Sequence, residues 1–297
     1  MGPGTRDPGL ELTVETRPQI ASPAAAAGAA ARPAGAGRRL PGRDFLLGAL
    51  SVVVILTVWQ SVSMLGLISK IFLPAPTDIL AQAQKLAWES EGRSPLLEHA
   101  ITSTRRVLVG FAMASLAAVP LGVIIGTSRL AKALSDPVIS IIRPLPSLSW
   151  IPLSILWFGI GEEQKYMIVF MGTFASALLY VMESTRRVDP LLIKAARNLG
   201  ASDAAVMREV VLPGALPGII SGLKVCLALA WTTVLSAEMV AASRGLGALI
   251  WFGKDWNNMA IVMVGMMCIS LTVLCIDSLF RTVEDRLLPW ERHRWRK

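Results

Sequence analysis

Long apolar segments separated by short polar or charged stretches form the main pattern along this 297-residue chain. An α-helix rises about 1.5 Å per residue, so about 20 apolar residues are needed to cross the hydrocarbon layer of a membrane. Six segments meet or approach that length, and the pattern therefore predicts an all-α integral membrane protein with six transmembrane helices. The predicted spans are 45–68, 107–126, 137–160, 166–182, 214–237 and 259–280.

The charge of the connecting stretches predicts their side of the membrane. Basic residues cluster at 38–43, at 129–132, in the loop 189–213 and in the C-terminal RTVEDRLLPWERHRWRK. Cytoplasmic loops carry an excess of Lys and Arg, and alternate loops lie on the same side of the membrane. We therefore expect both termini to be cytoplasmic.

Three stretches fall on the outer side in this topology. Residues 73–95 have proline-flanked turns and a charged helical pattern that cannot span, which predicts an external amphipathic element. Residues 161–165 and 238–258 form the other external turns. Arg105 and Arg106 also fall outside, against the charge rule, and we expect their long stems to snorkel from the helix end.

Composition divides the chain into four parts. Residues 1–43 are rich in Ala, Gly, Pro and Arg, which predicts a disordered cytoplasmic tail. Residues 44–98 hold the first transmembrane helix and the external amphipathic segment. Residues 99–290 form the core domain, and residues 291–297 form a basic cytoplasmic tail.

Several functional classes are disfavoured by what the sequence offers. The net charge of +8 is distributed around the spans, so membrane topology explains it without nucleic acid. The three cysteines lie in apolar runs without a C-x-x-C pair, and neither His99 nor His293 sits beside a nucleophile. Residues 247–255 resemble a Walker A loop only superficially, because Asp255 stands where Ser or Thr should bind magnesium. We expect no catalytic residue, no metal and no cofactor, and an intramembrane enzyme finds no support.

The third span contains a candidate translocation path. Pro144 and Pro146, with Pro152, remove backbone hydrogen bonds that hydrocarbon cannot replace, so the broken backbone should face protein or water. Arg143 precedes this break, and Lys224 lies about ten residues into the fifth span. Charges within a membrane mark pathways by default, and two cations would tolerate an anion. The alternative is that pairing or snorkelling of these cations serves structure alone.

The stretch after the fifth span is a candidate external gate. Glu238 is followed by the glycine turn Gly245 and Gly247 and then by aromatic residues, a composition that suits a re-entrant element at the membrane interface. The alternative is a plain aromatic anchor. Glycines at four-residue spacing predict close helix packing, within the chain or between copies, at Gly122, Gly126, Gly214, Gly218 and Gly222.

Residues 194–213, reading KAARNLGASDAAVMREVVLP, place a polar helix and a glycine turn between two apolar spans. The small residues Ala195 and Ala196 allow a partner to approach closely, and Gly200 can end the helix in a left-handed conformation. The alternative is an amphipathic connector that lies on the membrane surface and docks with no partner. We expect a helix that docks into a cleft of another protein.

This loop resembles the EAA loop of ABC-importer permeases, with Ala195, Ala196, Gly200, Val210, Leu212 and Pro213 in register. Lys194 departs from the family, which has Glu there. Further blocks, among them TRRVLVGF, RPLPSLSWIPLSILWFGIGE and AEMVAASRGLG, are similar to permeases of the nitrate, sulfonate and taurine type from residue 105 to residue 290. The family's loop residues carry over to Lys194, Ala195, Ala196, Gly200, Ala201, Leu212 and Pro213.

The resemblance implies a type I ABC-importer permease fold with a cytoplasmic coupling helix at about 189–205, within the EAA-like loop 189–213. It also implies a bacterial inner-membrane location and a homodimer of permeases on two ATP-binding subunits. A periplasmic or lipid-anchored binding protein would deliver the substrate. The expected substrate is a small anion, with aliphatic sulfonates or taurine ahead of nitrate, bicarbonate, an aromatic acid or a heterocyclic precursor. A membrane scaffold without substrate is the alternative of a different class.

Overall fold

The computed structural model describes Gly2 and residues 41–88 and 96–287. The predicted tail 1–43 lies outside the described residues except for Gly2 and the first residues of a helix, and the tail 291–297 lies wholly outside them. The chain divides into two units, Met1–Ile55 and Leu56–Lys297. Every described secondary-structure element is helical, as the sequence predicts.

The first helix, α1, covers Pro41–Met64 and includes most of the first predicted span, 45–68, but ends four residues before that span does. The amphipathic helix α2, Pro76–Trp88, follows a short turn. Three side chains near the end of α1 fix that turn: Trp59 Nε1 donates to Pro74 O at 3.1 Å, Gln60 Nε2 to Thr77 Oγ1 at 3.1 Å, and Ser63 Oγ to Leu73 O at 3.0 Å. The polar end of α1 therefore holds the turn that leads to α2.

The remaining helices follow in order along the chain. They are α3 Leu96–Thr127, α4 Arg129–Ile142, α5 Ile151–Phe158, α6 Glu162–Arg186, α7 Pro190–Asn198, α8 Asp203–Val206, α9 Leu212–Ala241, α10 Leu246–Asp255 and α11 Met259–Leu287. A single π-helical turn, Met207–Val211, joins α8 to α9. The central helix is α6, which packs along α3 on one side and α9 on another.

Glycines make these two contacts close. A Cβ on Gly122 of α3 would lie 2.7 Å from Val181 Cβ, and one on Gly222 of α9 would lie 2.5 Å from Tyr180 Cβ. Apolar side chains with no polar atoms to satisfy, such as Val107 and Val169, fill the space between the helices. The four-residue glycine spacing therefore serves packing within the chain at these positions.

Replacing Gly122 by alanine is expected to destabilise the contact between α3 and α6. Overpacking typically costs about 1–3 kcal/mol, more than the roughly 1 kcal/mol that alanine gains over glycine in a helix. Gly48→Ala is the matched control, because a Cβ at that helical position meets nothing within 4 Å. Thermal unfolding of the purified protein in detergent should give a lower midpoint for Gly122→Ala only, and equal midpoints would contradict the packing role.

The third predicted span, 137–160, is interrupted, as its prolines predict. The chain forms α4, a turn, a 3₁₀ turn at Ser147–Trp150 and then α5, with a bend of 88° between the two helical pieces. Pro144 and Pro146 lie at the break, where the chain leaves the helical ladder. Pro152 breaks nothing, because it occupies the first turn of α5, where a missing N–H is tolerated.

Five helices are long and apolar enough to cross a membrane, or six if the bent pair counts as one span. The α3 helix begins eleven residues before the predicted start at 107, because its polar first turns bury their side chains against other helices. The other span boundaries differ by a few residues from the prediction. The apolar pattern predicted the existence and order of the long helices, but it did not predict where their polar ends lie.

Candidate functional site

A buried ion network joins three helices at one end of the bundle. Arg106 of α3 has only 3% of its side chain exposed and lies between two carboxylates. Its Nη1 donates to Glu238 Oε1 of α9 at 2.8 Å, and its Nε donates to Glu162 Oε2 of α6 at 2.9 Å. Glu238 has no exposed side-chain surface at all. The charge of each buried group is therefore compensated inside the protein.

The same network holds the start of α10. The backbone N–H of Gly247 donates to Glu238 Oε2 at 2.9 Å, and that of Leu246 donates to Ser103 Oγ at 2.8 Å. Ser103 Oγ in turn donates to the Glu238 carboxylate at 2.8 Å. The first N–H groups of a helix have no partner within it, and a carboxylate near them is favoured by the helix dipole. Glu238 therefore serves as a cap supplied by another helix.

The backbone just before α10 also packs tightly against this network. Gly245 has φ +126°, and a Cβ there would collide with the carboxyl group of Glu238. Its N–H donates to Nδ1 of His99 at 3.0 Å, and Arg106 Nη1 donates to the carbonyl of Arg244 at 2.6 Å. Only glycine fits position 245, because both its conformation and its surroundings exclude a side chain.

The predicted gate residues Glu238, Gly245 and Gly247 are thus brought together in one site. The expectation that Arg106 snorkels is wrong: its head group is buried because two carboxylates and a backbone carbonyl accept its hydrogen bonds. Arg105 does remain exposed, at 58% of its side chain. Sequence reasoning missed the partners Ser103 and Glu162. The signal that could have found them was an arginine on the unfavoured side of the membrane together with a carboxylate at the end of a span.

The EAA-like loop lies at the other end of α6, a helix of 25 residues that spans about 37 Å. The loop helix α7 begins after Asp189, whose side chain accepts from Leu191 N at 2.8 Å. Gly200 ends it with φ +86°, which confirms the predicted left-handed termination. Two hydrogen bonds close this end, Gly200 N to Arg197 O at 3.0 Å and Ala201 N to Ala196 O at 3.1 Å.

Most of α7 faces outward. Ile193 packs against the bundle, whereas Leu191, Leu192 and Leu199 have 69%, 55% and 89% of their surface exposed. Lys194 and Ala195 are also exposed, and Ala196 is half-buried. An apolar, rigidly capped helix end projecting from the bundle is a surface that another protein can cover. Leu212 and Pro213 begin α9 and connect this loop to the bundle.

The two cations of the candidate path have different environments. Arg143 is exposed in the turn after α4, next to Pro144 and Pro146. Lys224 in α9 pairs with Asp277 of α11, with Nζ 3.3 Å from Oδ1. Pairing, one of the two alternatives for these cations, is therefore present at Lys224.

A solved structure has a similar fold. The fold of this protein matches a chain of the MetNI methionine ABC transporter in an inward-facing conformation with a TM-score of 0.54, over 65% of this chain and 94% of that chain. The sequence identity is 22%, so this likeness concerns the fold. The protein has the fold of an ABC-importer permease.

Sequence comparison gives the family. Residues 118–289 match the family described as "Binding-protein-dependent transport system inner membrane component", and the chain belongs to that family. It is 34% identical to the taurine transport system permease protein TauC of Escherichia coli K12, over 84% of this chain and 90% of that protein. It is 31% identical to the putative aliphatic sulfonates transport permease protein SsuC of Bacillus subtilis 168, over 85% of this chain and 91% of that protein. The chain is a multi-pass membrane permease subunit of an ABC importer.

Proposed function

We propose that this permease imports a small organic anion, an aliphatic sulfonate or taurine, by ATP-driven alternating access. The observation that carries the proposal is the extent of the similarity: relatives named for taurine and aliphatic sulfonates align over more than four fifths of the chain. The family name adds a binding protein as the donor of the substrate. Both termini are cytoplasmic in this proposal, and the chain crosses the inner membrane six times, with the bent pair as one span.

Coupling to ATP hydrolysis is proposed for α7. Hydrolysis occurs on a separate ATP-binding subunit, and α7 inserts into a cleft of that subunit so that nucleotide-driven closure rocks the helices. The exposed Leu191 and Leu199 supply apolar contact area, and Ala195 lets the partner backbone approach. The site residues are Lys194, Ala195, Ala196, Gly200, Ala201, Leu212 and Pro213. Two copies of the permease, each with its own α7, would dock on two ATP-binding subunits.

The translocation path is proposed to run past Arg143, Pro144, Pro146 and Lys224. Arg143 stands beside broken backbone, which is tolerated at membrane depth only where it faces protein or water. The positive charge of Lys224 is partly compensated by Asp277, so Arg143 offers the stronger attraction for an anion.

Arg143→Gln is therefore expected to slow uptake of an anionic substrate about tenfold, because hydrogen bonds to charged groups contribute about 1.5–3 kcal/mol. Lys224→Gln is expected to slow it less than about threefold, because Asp277 already compensates part of the charge of Lys224. Initial uptake rates in cells that express equal amounts of each variant measure this. Lys70→Gln removes one exposed positive charge that lies outside the candidate path and is the control. An unchanged rate for Arg143→Gln would remove it from the path.

Two other readings remain for the test to separate. Nitrate, bicarbonate, an aromatic acid or a heterocyclic precursor would use the same permease role with another binding protein. A membrane scaffold without substrate would share the fold but would not assemble with an ATPase and a soluble binding protein, so co-purification separates it from an importer.

Growth of a clean deletion strain tests the substrate class. We expect the strain to fail on taurine or an alkanesulfonate as sole sulfur source, to grow on sulfate, and to recover with the intact gene. Nitrate and ammonium as nitrogen sources are run in parallel. Normal growth on every sulfonate, with loss on nitrate alone, would overturn the substrate proposal and leave the permease role standing.

A further inference from the structure

A polar cavity of about 900 Å³ lies beside the ion network, at the end of the bundle opposite α7. Six charged residues line it among the residues that the structure describes: Glu98, Arg105, Arg106, Glu162, Lys165 and Arg244. Four are cations and two are carboxylates, and Glu238 reaches Arg106 from behind the wall as a third carboxylate. The cavity therefore has one positive charge more than its carboxylates compensate. We call it the outer vestibule.

The surplus charge can be assigned to one residue. Arg106 is held by two carboxylates, and Lys165 donates to Gly161 O at 3.0 Å while lying 3.7 Å from Glu162. Arg244 forms a short pair with Glu98 at 2.6 Å.

Arg105 has a single long contact, 3.4 Å from Nη2 to the Glu162 oxygen that Arg106 already uses. Its guanidinium fork thus keeps most of its five donors for a ligand.

Neighbouring groups complement that fork. Thr102 is one helical turn before Arg105 and lines the same cavity, as does Ser243 in the loop before α10. Within the described residues neither hydroxyl has a hydrogen-bond partner. Apolar surface comes from Ile160 and Val240 at the rim. A charged head with several acceptor oxygens and a short apolar tail would match both kinds of surface.

We propose that the outer vestibule binds a small organic monoanion, with Arg105 holding its charged head and the hydroxyls of Thr102 and Ser243 completing its hydrogen bonds. This rests on the proposed function, because it places the substrate of the importer at the outer mouth of the permease itself. The permease then takes part in substrate selection together with the binding protein. The large volume leaves the ligand hydrated, so the site is a weak transit site.

Chemical protection of arginine tests the site without any transport. The purified complex with its ATP-binding subunits is treated with phenylglyoxal, which modifies accessible guanidinium groups, with and without methanesulfonate. Modification of Arg105 should slow about threefold or more at about 10 mM methanesulfonate, since the charge-assisted bonds occupy its donors. Arg281, 68% exposed and on another helix, is the internal control and should be unaffected. No protection of Arg105, or equal protection by sulfate, would overturn the proposal.

Uptake by variants provides the second arm. Arg105→Gln should lower the initial rate at saturating binding protein about fivefold or more. Arg105→Lys should retain most of it, because lysine keeps the charge and the exposed Arg105 has only one long contact within the protein, to Glu162. Lys70→Gln removes one exposed cation outside the vestibule and should change nothing. Normal uptake by Arg105→Gln would overturn the proposed anion site in the outer vestibule and leave the proposed function unaffected. Protection of Arg105 in a complex that accumulates no sulfonate would instead support the anion site and overturn the proposal that a sulfonate is the transported substrate.

Discussion

Replacing Arg106 by glutamine is expected to destabilise the permease by about 3–5 kcal/mol, because it leaves the Glu238 carboxylate buried without its cation. The carboxylate has no exposed surface and keeps only Ser103 and the Gly247 N–H as partners. The start of α10 loses its support at the same time. In a thermal unfolding experiment on the purified protein, we expect the midpoint to fall by about 10 °C or more.

A double substitution separates the buried charge from other effects. Arg106→Gln with Glu238→Gln removes both charges, so it should recover a large part of the loss. Arg187→Gln is the control: it breaks an ion pair with Glu183 that is mostly exposed and should cost no more than about 1 kcal/mol. If Arg106→Gln lowered the unfolding midpoint no more than Arg187→Gln does, the network would not stabilise the fold.

Replacing Gly200 by valine is expected to uncouple ATP hydrolysis from transport. Gly200 has φ +86°, a conformation that a β-branched residue adopts only with strain, so the end of α7 must rearrange. A Cβ there would meet nothing within 4 Å, which limits the damage to the backbone of the loop. Uptake should fall by about tenfold or more while the complex still hydrolyses ATP, since a shift of about 1 Å in a coupled site has effects of that size.

Gly200→Asn is the matched variant for this position. Asparagine tolerates the left-handed region far better than valine, so it should retain most of the uptake. The measurement is the ratio of substrate transported to ATP hydrolysed in proteoliposomes. Normal stimulation of hydrolysis by the loaded binding protein in Gly200→Val, with a normal transport ratio, would contradict a coupling role for α7.

The helical class, the order of the spans and the loop were predictable from residue patterns, since each depends on local properties. Apolar runs of membrane length predict spans, and Gly200 after a polar helix predicts its left-handed end. The buried position of Arg106 depends instead on Glu162 and Glu238, which lie 56 and 132 residues further along the chain. No local sequence pattern identifies such distant partners. The charge rule alone therefore predicted a snorkelling Arg106 instead of a buried one.

The broken third span shows a related limit. Three prolines predicted interruption, but their effects differ: Pro144 and Pro146 lie in a turn, whereas Pro152 starts a helix. The two flanking pieces meet at a bend of 88°, a value that the sequence pattern did not predict. Proline identity predicts where a helix is weakened, and tertiary contacts decide the direction that the chain then takes.

The most direct test of the central claim is ATP-driven uptake of radiolabelled taurine or methanesulfonate into proteoliposomes that contain this chain, its ATP-binding subunit and its binding protein. The account predicts accumulation that requires both ATP and the binding protein and that falls about tenfold or more with Gly200→Val. An intact complex that hydrolyses ATP in response to its loaded binding protein, yet accumulates none of the organic anions offered, would contradict it.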